Sequence, residues 1–181
     1  LPVYVGVNLS AIQVARDNVA EVVEEALRSA GLKGSRLTLE LTESSIVQDP
    51  GRAMRVFEAL KALDATVAMD DFGTGYSSLP YLQRLPIDVL KIDKSFVTGM
   101  MRDPDAVAIV RAVLSLADAL GMSTTAEGIE TVELATTLAT LGCASGQGYY
   151  FARPLEAEAA LEYWKSRRRG RTPSAITGQR H

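Results

Sequence analysis

Short apolar segments with the character of β-strands alternate along the chain with longer segments that have a helical repeat of apolar residues. Strands are predicted at Val3–Leu9, Arg36–Thr42, Thr66–Asp70, Val89–Ile92, Ser123–Ala126 and Ala144–Gln147. Helices are predicted at Asn18–Ala30, Asp49–Leu63, Asp103–Leu120, Val132–Leu141 and Glu156–Trp164, with a short helical stretch near Leu79–Gln83. Repeated strand–helix units of this kind favour an α/β fold with a parallel sheet, either open or closed into a barrel.

Capping residues mark the ends of several of these helices. Asp49-Pro50 and Asp103-Pro104 each combine an N-cap residue with a proline in the first helical turn. Glycines stand where three helices are predicted to stop, at Gly31, Gly121 and Gly142. The helix boundaries are therefore indicated by local chemistry as well as by periodicity.

Polar residues stand near the carboxyl ends of all six predicted strands. Because strand side chains alternate between two faces, these residues oppose the apolar face of each strand. Ligands of parallel sheets bind at the carboxyl ends of strands, so in a barrel we expect the polar residues to meet at one mouth. Each alone is explained as a surface residue, but six at successive strand ends indicate a site: Asn8, Glu40, Asp70, Lys91, Glu127 and Gln147.

Two adjacent aspartates, Asp70 and Asp71, end the third predicted strand and lead directly into a glycine loop. Neighbouring carboxylates repel each other, so holding them together costs energy unless a cation lies between them. Gly73 and Gly75 allow the loop to bend sharply or to approach a ligand closely. For this pair taken alone, an acidic turn after a strand is the alternative interpretation.

A buried group of four or five carboxylates needs more positive charge than one lysine provides. Two divalent cations supply it, and two metals roughly 3.5–4 Å apart are the usual arrangement for hydrolysis of phosphate esters. A metal-dependent lyase or racemase of the enolase type, which also combines strand-end carboxylates with a lysine base, is an alternative interpretation of the same pattern.

Composition narrows these alternatives. The chain has 181 residues with 47% hydrophobic and 23% charged residues, which is ordinary for one soluble domain, and a net charge of −3 that disfavours DNA or RNA as a partner. It contains no apolar stretch that could span a bilayer, and we expect a cytoplasmic protein or the cytoplasmic part of a membrane-anchored one.

The single cysteine, Cys143, excludes an internal disulfide, and the only histidine is His181. Histidine-dependent nucleophilic catalysis and His-ligated zinc or iron are excluded, so a metal must be bound by oxygen, as Mg²⁺ or Mn²⁺ is.

Six blocks of sequence resemble the EAL domain family, which consists of bacterial phosphodiesterases that act on cyclic di-GMP. The blocks follow the family's order and spacing over most of residues 3–165, and together they are highly specific. They are Val7-Asn-Leu-Ser10, Leu39-Glu-Leu-Thr-Glu-Ser44, Asp70-Asp-Phe-Gly-Thr-Gly-Tyr-Ser-Ser-Leu79, Leu90-Lys-Ile-Asp93, Ala126-Glu-Gly-Ile-Glu130 and Gln147-Gly-Tyr-Tyr-Phe-Ala-Arg-Pro154.

The resemblance implies a TIM-like barrel of the EAL type, two bound Mg²⁺ or Mn²⁺ ions and hydrolysis of cyclic di-GMP to linear pGpG. In the family pattern one metal is bound by an asparagine, a glutamate and a bridging aspartate, and the second by the following aspartate. A further glutamate lies at the metals and is proposed as the general base. These positions correspond to Asn8, Glu40, Asp70, Asp71 and Glu127, in that order.

The resemblance also assigns roles around the metals. Lys91 corresponds to the lysine that orients the attacking water, and Gln147 to a glutamine near that water and the substrate. Pro154 falls where the family packs against a guanine. Glu43 and Glu130 correspond to carboxylates that hold the catalytic loop, residues 72–78, in place.

One part of the family pattern is missing. The family's first strand, whose Glu-Ala-Leu motif supplies another metal ligand, precedes the first block and is not part of this sequence; the same three residue types at Glu25–Leu27 and Glu58–Leu60 fall in predicted helices. A TIM barrel usually has about 250 residues, so about 70 are absent. We expect a truncated chain with an open barrel edge, a partial EAL domain at residues 1–165 and a basic, disordered tail at 166–181. A catalytically inactive sensor of cyclic di-GMP, or a partner-binding module, is the alternative. The family also implies upstream regulatory domains and a homodimer.

Overall fold

The computed structural model of the chain describes residues 3–16, 18–73 and 82–169, in which strands and helices alternate as predicted. The strands are β1 (Val5–Leu9), β2 (Leu37–Thr42), β3 (Thr66–Phe72), β4 (Val89–Ile92), β5 (Ser123–Ala126) and β6 (Ser145–Gly146). The helices are α1 (Ala11–Val14), α2 (Val19–Ala30), α3 (Glu43–Gln48), α4 (Pro50–Ala62), α5 (Lys94–Gly99), α6 (Pro104–Ala119), α7 (Val132–Thr140) and α8 (Ala157–Arg169), with a 3₁₀ turn at Gly34–Arg36.

The six strands form one parallel sheet in the order in which they occur in the sequence. The sheet is curled into a half-barrel, which confirms the predicted TIM-like α/β class. Its register sets Asn8 opposite Glu40 and Thr42 opposite Asp70. Because parallel strands end at the same edge of a sheet, this register brings the polar strand ends to one side of the molecule.

The core lies between the outer face of the sheet and the helices. Leu39 and Leu41 of β2 and Val67 of β3 are at most 1% exposed, and Phe57 and Leu60 of α4 are fully buried in the same cluster. Burial of each such side chain contributes about 1.5–3 kcal/mol. The apolar alternation of the strands therefore fixes which face carries the helices and leaves the other face for polar residues.

Strand β1 lies at an edge and pairs on one side only, with β2, within the described residues. The alternation assigns Val5 and Val7 to the helix-covered face, together with the buried Leu9. Instead Val5 is 47% and Val7 41% exposed. The predicted open edge is present, and it leaves the middle of this strand uncovered.

The predicted helix starts and stops are confirmed in detail. The Asp49 carboxylate accepts a hydrogen bond from the Arg52 backbone N–H at 3.0 Å, and Asp103 caps α6 through the Asp105 N–H at 2.9 Å. Gly31 ends α2 with a φ of 62°, a left-handed conformation that glycine adopts without strain.

Three short helices were not predicted, and several element boundaries differ, among them the start of β1 and both ends of β6. Helices α1, α3 and α5 have four to six residues, too few for a helical repeat to stand out, and packing holds them, as for Ile46 and Val97 in the core. Glu43, which directly follows the second predicted strand and lies in no predicted helix, is the first residue of α3. Strand β3 continues to Phe72, and α8 continues to Arg169, into the segment predicted as a disordered tail.

The predicted helical stretch near Leu79–Gln83 falls largely outside the described residues, as do residues 170–181 of the predicted tail. Among the helices that are described, none combines the length and the apolar character that crossing a membrane would require.

Asp88 connects several elements at the amino end of the sheet. Its carboxylate accepts a hydrogen bond from the Val67 backbone N–H at 2.8 Å and contacts the Lys61 ammonium at 2.7 Å. Its own backbone N–H donates to the Val67 carbonyl at 2.9 Å, and its carbonyl accepts from the Ser123 N–H at 2.8 Å. One residue thus links α4, β3 and β5 to the start of β4.

We predict that Asp88→Ala lowers the free energy of unfolding by about 1–3 kcal/mol, because the Val67 N–H loses its partner. Lys61→Met removes only the partly exposed ion pair and is expected to cost less than about 1 kcal/mol. Urea denaturation of both variants of the intact protein measures the difference. Equal losses in the two variants would show that the backbone contact contributes nothing.

Candidate functional site

A β-bulge in β3 brings two neighbouring aspartates to one side of the sheet. Met69 pairs with Leu90 and Phe72 with Ile92, so that Asp70 and Asp71 together stand opposite the single residue Lys91. Asp71 has a φ of 54°, in the left-handed region that few residues other than glycine adopt. In a regular strand these two side chains would point to opposite faces, and the bulge removes that constraint.

Lys91 occupies the centre of the site. Its ammonium contacts Glu40 of β2, Asp70 of β3 at 3.0 Å and Glu127, which follows β5, at 2.6 Å. Three carboxylates therefore engage the three donors that a lysine ammonium has. The Lys91 side chain is only 6% exposed. Burial disfavours its charge, but hydrogen bonds to Glu127, Glu40 and Asp70 outweigh burial and hold the pKa of Lys91 above its ordinary value.

Glu127 is held by contacts to two neighbouring strands. Its backbone N–H donates to the Ile92 carbonyl at 3.1 Å, at the end of β4. Its Oε1 accepts a hydrogen bond from the Gln147 amide at 2.7 Å, in addition to the Lys91 contact. Burial raises the pKa of Glu127, Asp70 and Glu40 add repulsion, and Lys91 offsets this only in part.

The carboxylates outnumber the positive charge of Lys91. Glu40, Asp70, Asp71 and Glu127 contribute four negative charges when ionised, against one ammonium. Burial, followed by repulsion from Asp70, raises the pKa of Asp71. Asp70, Asp71 and Glu127 each bring a carboxylate oxygen within 4.8 Å of the others. An oxygen-only donor set with excess negative charge fits a hard divalent cation such as Mg²⁺, Mn²⁺ or Ca²⁺.

Glu43 is buried beside this cluster, at 5% exposure. Its Oε2 accepts a hydrogen bond from the Gly73 N–H at 3.3 Å, at the point where the chain leaves β3. Its Oε1 is also buried and has no hydrogen-bond partner within the described residues. Glu43 therefore contacts the beginning of the loop at residues 72–78, which it was predicted to hold in place. The rest of that loop lies outside the described residues.

Three other predicted site residues are more exposed than this cluster. Asn8 is exposed on edge strand β1, level with Glu40 in the register. Glu130 and Pro154 are exposed, and within the described part of the chain no hydrogen bond or ion pair joins either side chain to the carboxylates. The structure thus brings together Glu40, Asp70, Asp71, Lys91, Glu127 and Gln147, and within the described residues no such contact joins Asn8, Glu130 or Pro154 to them.

One residue of the site was missed in the sequence. A Cβ atom at Gly6 would lie 2.5 Å from Glu40 Oε1, so the absence of a side chain on β1 provides the space that the Glu40 carboxylate occupies. The available signal was a lone glycine inside an apolar strand, which often marks a close approach of another group.

The amino-acid sequence of this chain is similar to those of several known proteins. A family model described as EAL domain matches residues 2–154. The chain is 43% identical over 157 residues to MucR of Pseudomonas aeruginosa, a bifunctional diguanylate cyclase/cyclic di-GMP phosphodiesterase, covering 87% of this chain and 23% of MucR. It is 37% identical over 164 residues to NbdA, a cyclic di-GMP phosphodiesterase of the same organism, covering 91% of this chain and 21% of NbdA. The chain spans about a fifth of the length of the curated relatives it matches.

Two solved structures carry the same fold. The cyclic di-GMP complex of the MucR phosphodiesterase superposes with a TM-score of 0.84 at 42% identity, over 87% of this chain and 64% of that one. The manganese and cyclic di-GMP complex of BlrP1 from Klebsiella pneumoniae superposes with a TM-score of 0.77 at 30% identity, over 83% of this chain and 39% of that one.

We predict that Asp71→Asn makes the metal-free protein more stable at pH 7. The pKa of Asp71 is raised in the folded chain, so the folded state binds the carboxyl proton more tightly than the unfolded state does. The free energy of unfolding therefore falls as pH rises from 3.8, the ordinary pKa of aspartate, to the raised pKa of Asp71. The gain should vanish below about pH 3, where aspartate is protonated in both states. Denaturation in the presence of a chelator, at pH 7 and below about pH 3, measures this gain in stability.

Asp93→Asn is the matched control, with the opposite sign. Although burial favours protonation, hydrogen bonds from Ser95 and Lys94 lower the pKa of Asp93, so its charge stabilises the fold at pH 7 and this contribution is lost as pH falls through the lowered pKa. Asp93→Asn should therefore destabilise at pH 7. A shift of the same sign in both variants would contradict the electrostatic account of Asp71.

Proposed function

This chain belongs to the EAL domain family, and on that basis we propose that it hydrolyses one phosphodiester bond of cyclic di-GMP and releases linear pGpG. The observation that carries the proposal is the cluster in which Lys91 contacts carboxylates from three separate segments of the sheet. The cyclic di-GMP found in the related MucR and BlrP1 structures supports the same substrate.

We propose that two Mg²⁺ or Mn²⁺ ions bind at this mouth. Asn8, Glu40 and Asp70 would hold one ion, Asp70 and Asp71 the other, with Glu127 completing the site. The oxygen atoms of Asp70, Asp71 and Glu127 that lie within 4.8 Å of one another support this assignment, as does the manganese of the BlrP1 complex. When bound, such ions polarise a phosphoryl oxygen and lower the pKa of a coordinated water.

Glu127 is the residue that we propose as general base. Its Oε1 accepts hydrogen bonds from Lys91 and Gln147, which leaves Oε2 to receive a proton from water. Burial raises the pKa of Glu127, which makes the carboxylate a stronger base near neutral pH. In the proposed reaction, the oxygen of the attacking water forms a bond to phosphorus while one proton of that water passes to Glu127. The bond from phosphorus to the ribose 3′ oxygen breaks, and that oxygen leaves and takes up a proton.

Lys91 has a structural part in this proposal as well as a chemical one. By contacting Glu40, Asp70 and Glu127 together, its ammonium keeps three repelling carboxylates close to one another before any ion binds. Once Glu40 or Asp70 holds an ion, we propose that the ammonium uses the freed donor to orient the attacking water. A neutral side chain of similar length would do neither.

The remaining residues act on the substrate or on the loop that follows β3. We propose that Gln147 contacts the water or the phosphate and that Pro154 packs against a guanine. Glu43 and Glu130 would hold the loop, and the hydrogen bond from Gly73 to Glu43 supports this for the first of them.

We predict that Glu127→Gln in the intact protein lowers the rate of pGpG formation by about 10²–10⁴-fold, the usual loss when a general base is removed. The amide keeps the shape of the side chain, and binding of cyclic di-GMP should persist. Chromatographic assay of pGpG with Mn²⁺ and with Mg²⁺ measures the rate, and calorimetry measures binding.

Glu133→Gln is the matched control, since Glu133 is an exposed glutamate in the first turn of α7 and lies outside the proposed site. Its activity should equal that of the parent. If the parent binds cyclic di-GMP with either metal present but forms no pGpG, the phosphodiesterase proposal is overturned in favour of a sensor.

A further inference from the structure

Helix α5 lies between two chain segments that follow acidic residues of the site, one after β3 and one after Glu127. It begins three residues after Lys91, and Asp93 caps it by accepting a hydrogen bond from the Ser95 N–H at 2.9 Å. On one side it meets Gly73, which follows Asp70 and Asp71. On the other side it meets Gly128, which follows Glu127.

The contact at Gly73 is tight, and the contact at Gly128 is too close to admit a side chain unless the neighbour moves. A Cβ atom at Gly73 would lie 3.1 Å from Phe96 Cε2, and one at Gly128 would lie 2.6 Å from Lys94 Cβ. Both glycines have positive φ, 94° and 68°, so each loop turns sharply where it touches the helix. The backbone at Gly73 and at Gly128 therefore lies directly against α5.

Helix α5 is itself firmly seated. Val97 is fully buried in the core, and a Cβ atom at Gly99 would lie 3.1 Å from the Ala106 Cβ of α6. Phe96 is partly buried and packs against the same core while its ring edge faces Gly73. Helix α5 thus lies between Gly73 and Gly128, and the Phe96 ring contacts Gly73, the residue that follows β3.

We propose that α5 is a spacer that sets the separation between the Asp70–Asp71 pair and Glu127, with Phe96 as a positioning residue for divalent-cation binding. This inference rests on the proposed metal site. Metal sites tolerate only small errors in ligand position, so a loop that loses its support binds the ion more weakly although every ligand is still present. Phe96 acts through Gly73 and contacts neither ion nor substrate.

The test measures Mn²⁺ affinity of the intact, metal-stripped protein by calorimetry without nucleotide. Phe96→Ala should weaken Mn²⁺ binding about tenfold, the lower end of the effect of outer-shell residues. Phe96→Met should recover most of the affinity, because a flexible apolar side chain refills the space. Leu116→Ala is the matched control, because it also removes a partly buried side chain that packs against the core, but from α6. Its Mn²⁺ affinity should stay within about twofold of that of the parent.

A double-mutant cycle tests the contact itself. Gly73→Ala introduces backbone strain in both backgrounds, but only in the parent does the new methyl group also meet the Phe96 ring. The loss of Mn²⁺ affinity from Gly73→Ala should therefore be smaller in the Phe96→Ala background. Independent, multiplicative losses would overturn the spacer role, as would equal effects of Phe96→Ala and Leu116→Ala.

The hydrolysis assay separates this inference from the proposed function. If the protein makes no pGpG but Mn²⁺ affinity follows the pattern above, the spacer stands and the phosphodiesterase proposal falls. If it makes pGpG while Phe96→Ala binds Mn²⁺ as the parent does, the spacer alone is overturned.

Discussion

The contacts of Lys91 with three carboxylates are the interaction on which the rest of the site depends. Glu40, Asp70 and Glu127 come from different segments of the sheet, and without a central cation their mutual repulsion would drive the strand ends apart. The ammonium is buried, yet hydrogen bonding keeps it charged. One lysine thus assembles a group of acids that no single strand contains, and it does so without a metal ion.

The acidic cluster is assembled at a cost to the fold. Asp71 sits in a left-handed backbone conformation at a bulge, and burial raises the pKa of both Asp71 and Glu127. Ionised carboxylates of this kind oppose folding near neutral pH, and a divalent cation would relieve that opposition. Strain and unfavourable charge that persist in a well-packed domain are typical of functional sites.

Residues that are not part of the carboxylate cluster help to hold it in place. Gly6 provides space for the Glu40 carboxylate, and Gly73 and Gly128 let two loops rest against α5. Asp88, at the opposite end of the sheet, joins β3 to β4 and so contributes to the register that the bulge interrupts. The precision of the site is therefore a property of the whole half-barrel, because the carboxylates themselves repel one another.

The sequence by itself determined the alternation of strands and helices, the caps at Asp49 and Asp103, and the polar residues at successive strand ends, because these depend on local periodicity and on side-chain chemistry. Only the tertiary structure decided that Asp70 and Asp71 share one side, that Glu43 begins a helix, and that Val5 and Val7 are exposed. These features depend on which residues oppose one another across strands, on packing that stabilises helices too short to form alone, and on whether a neighbour covers an edge. None of these is encoded within a short window of sequence.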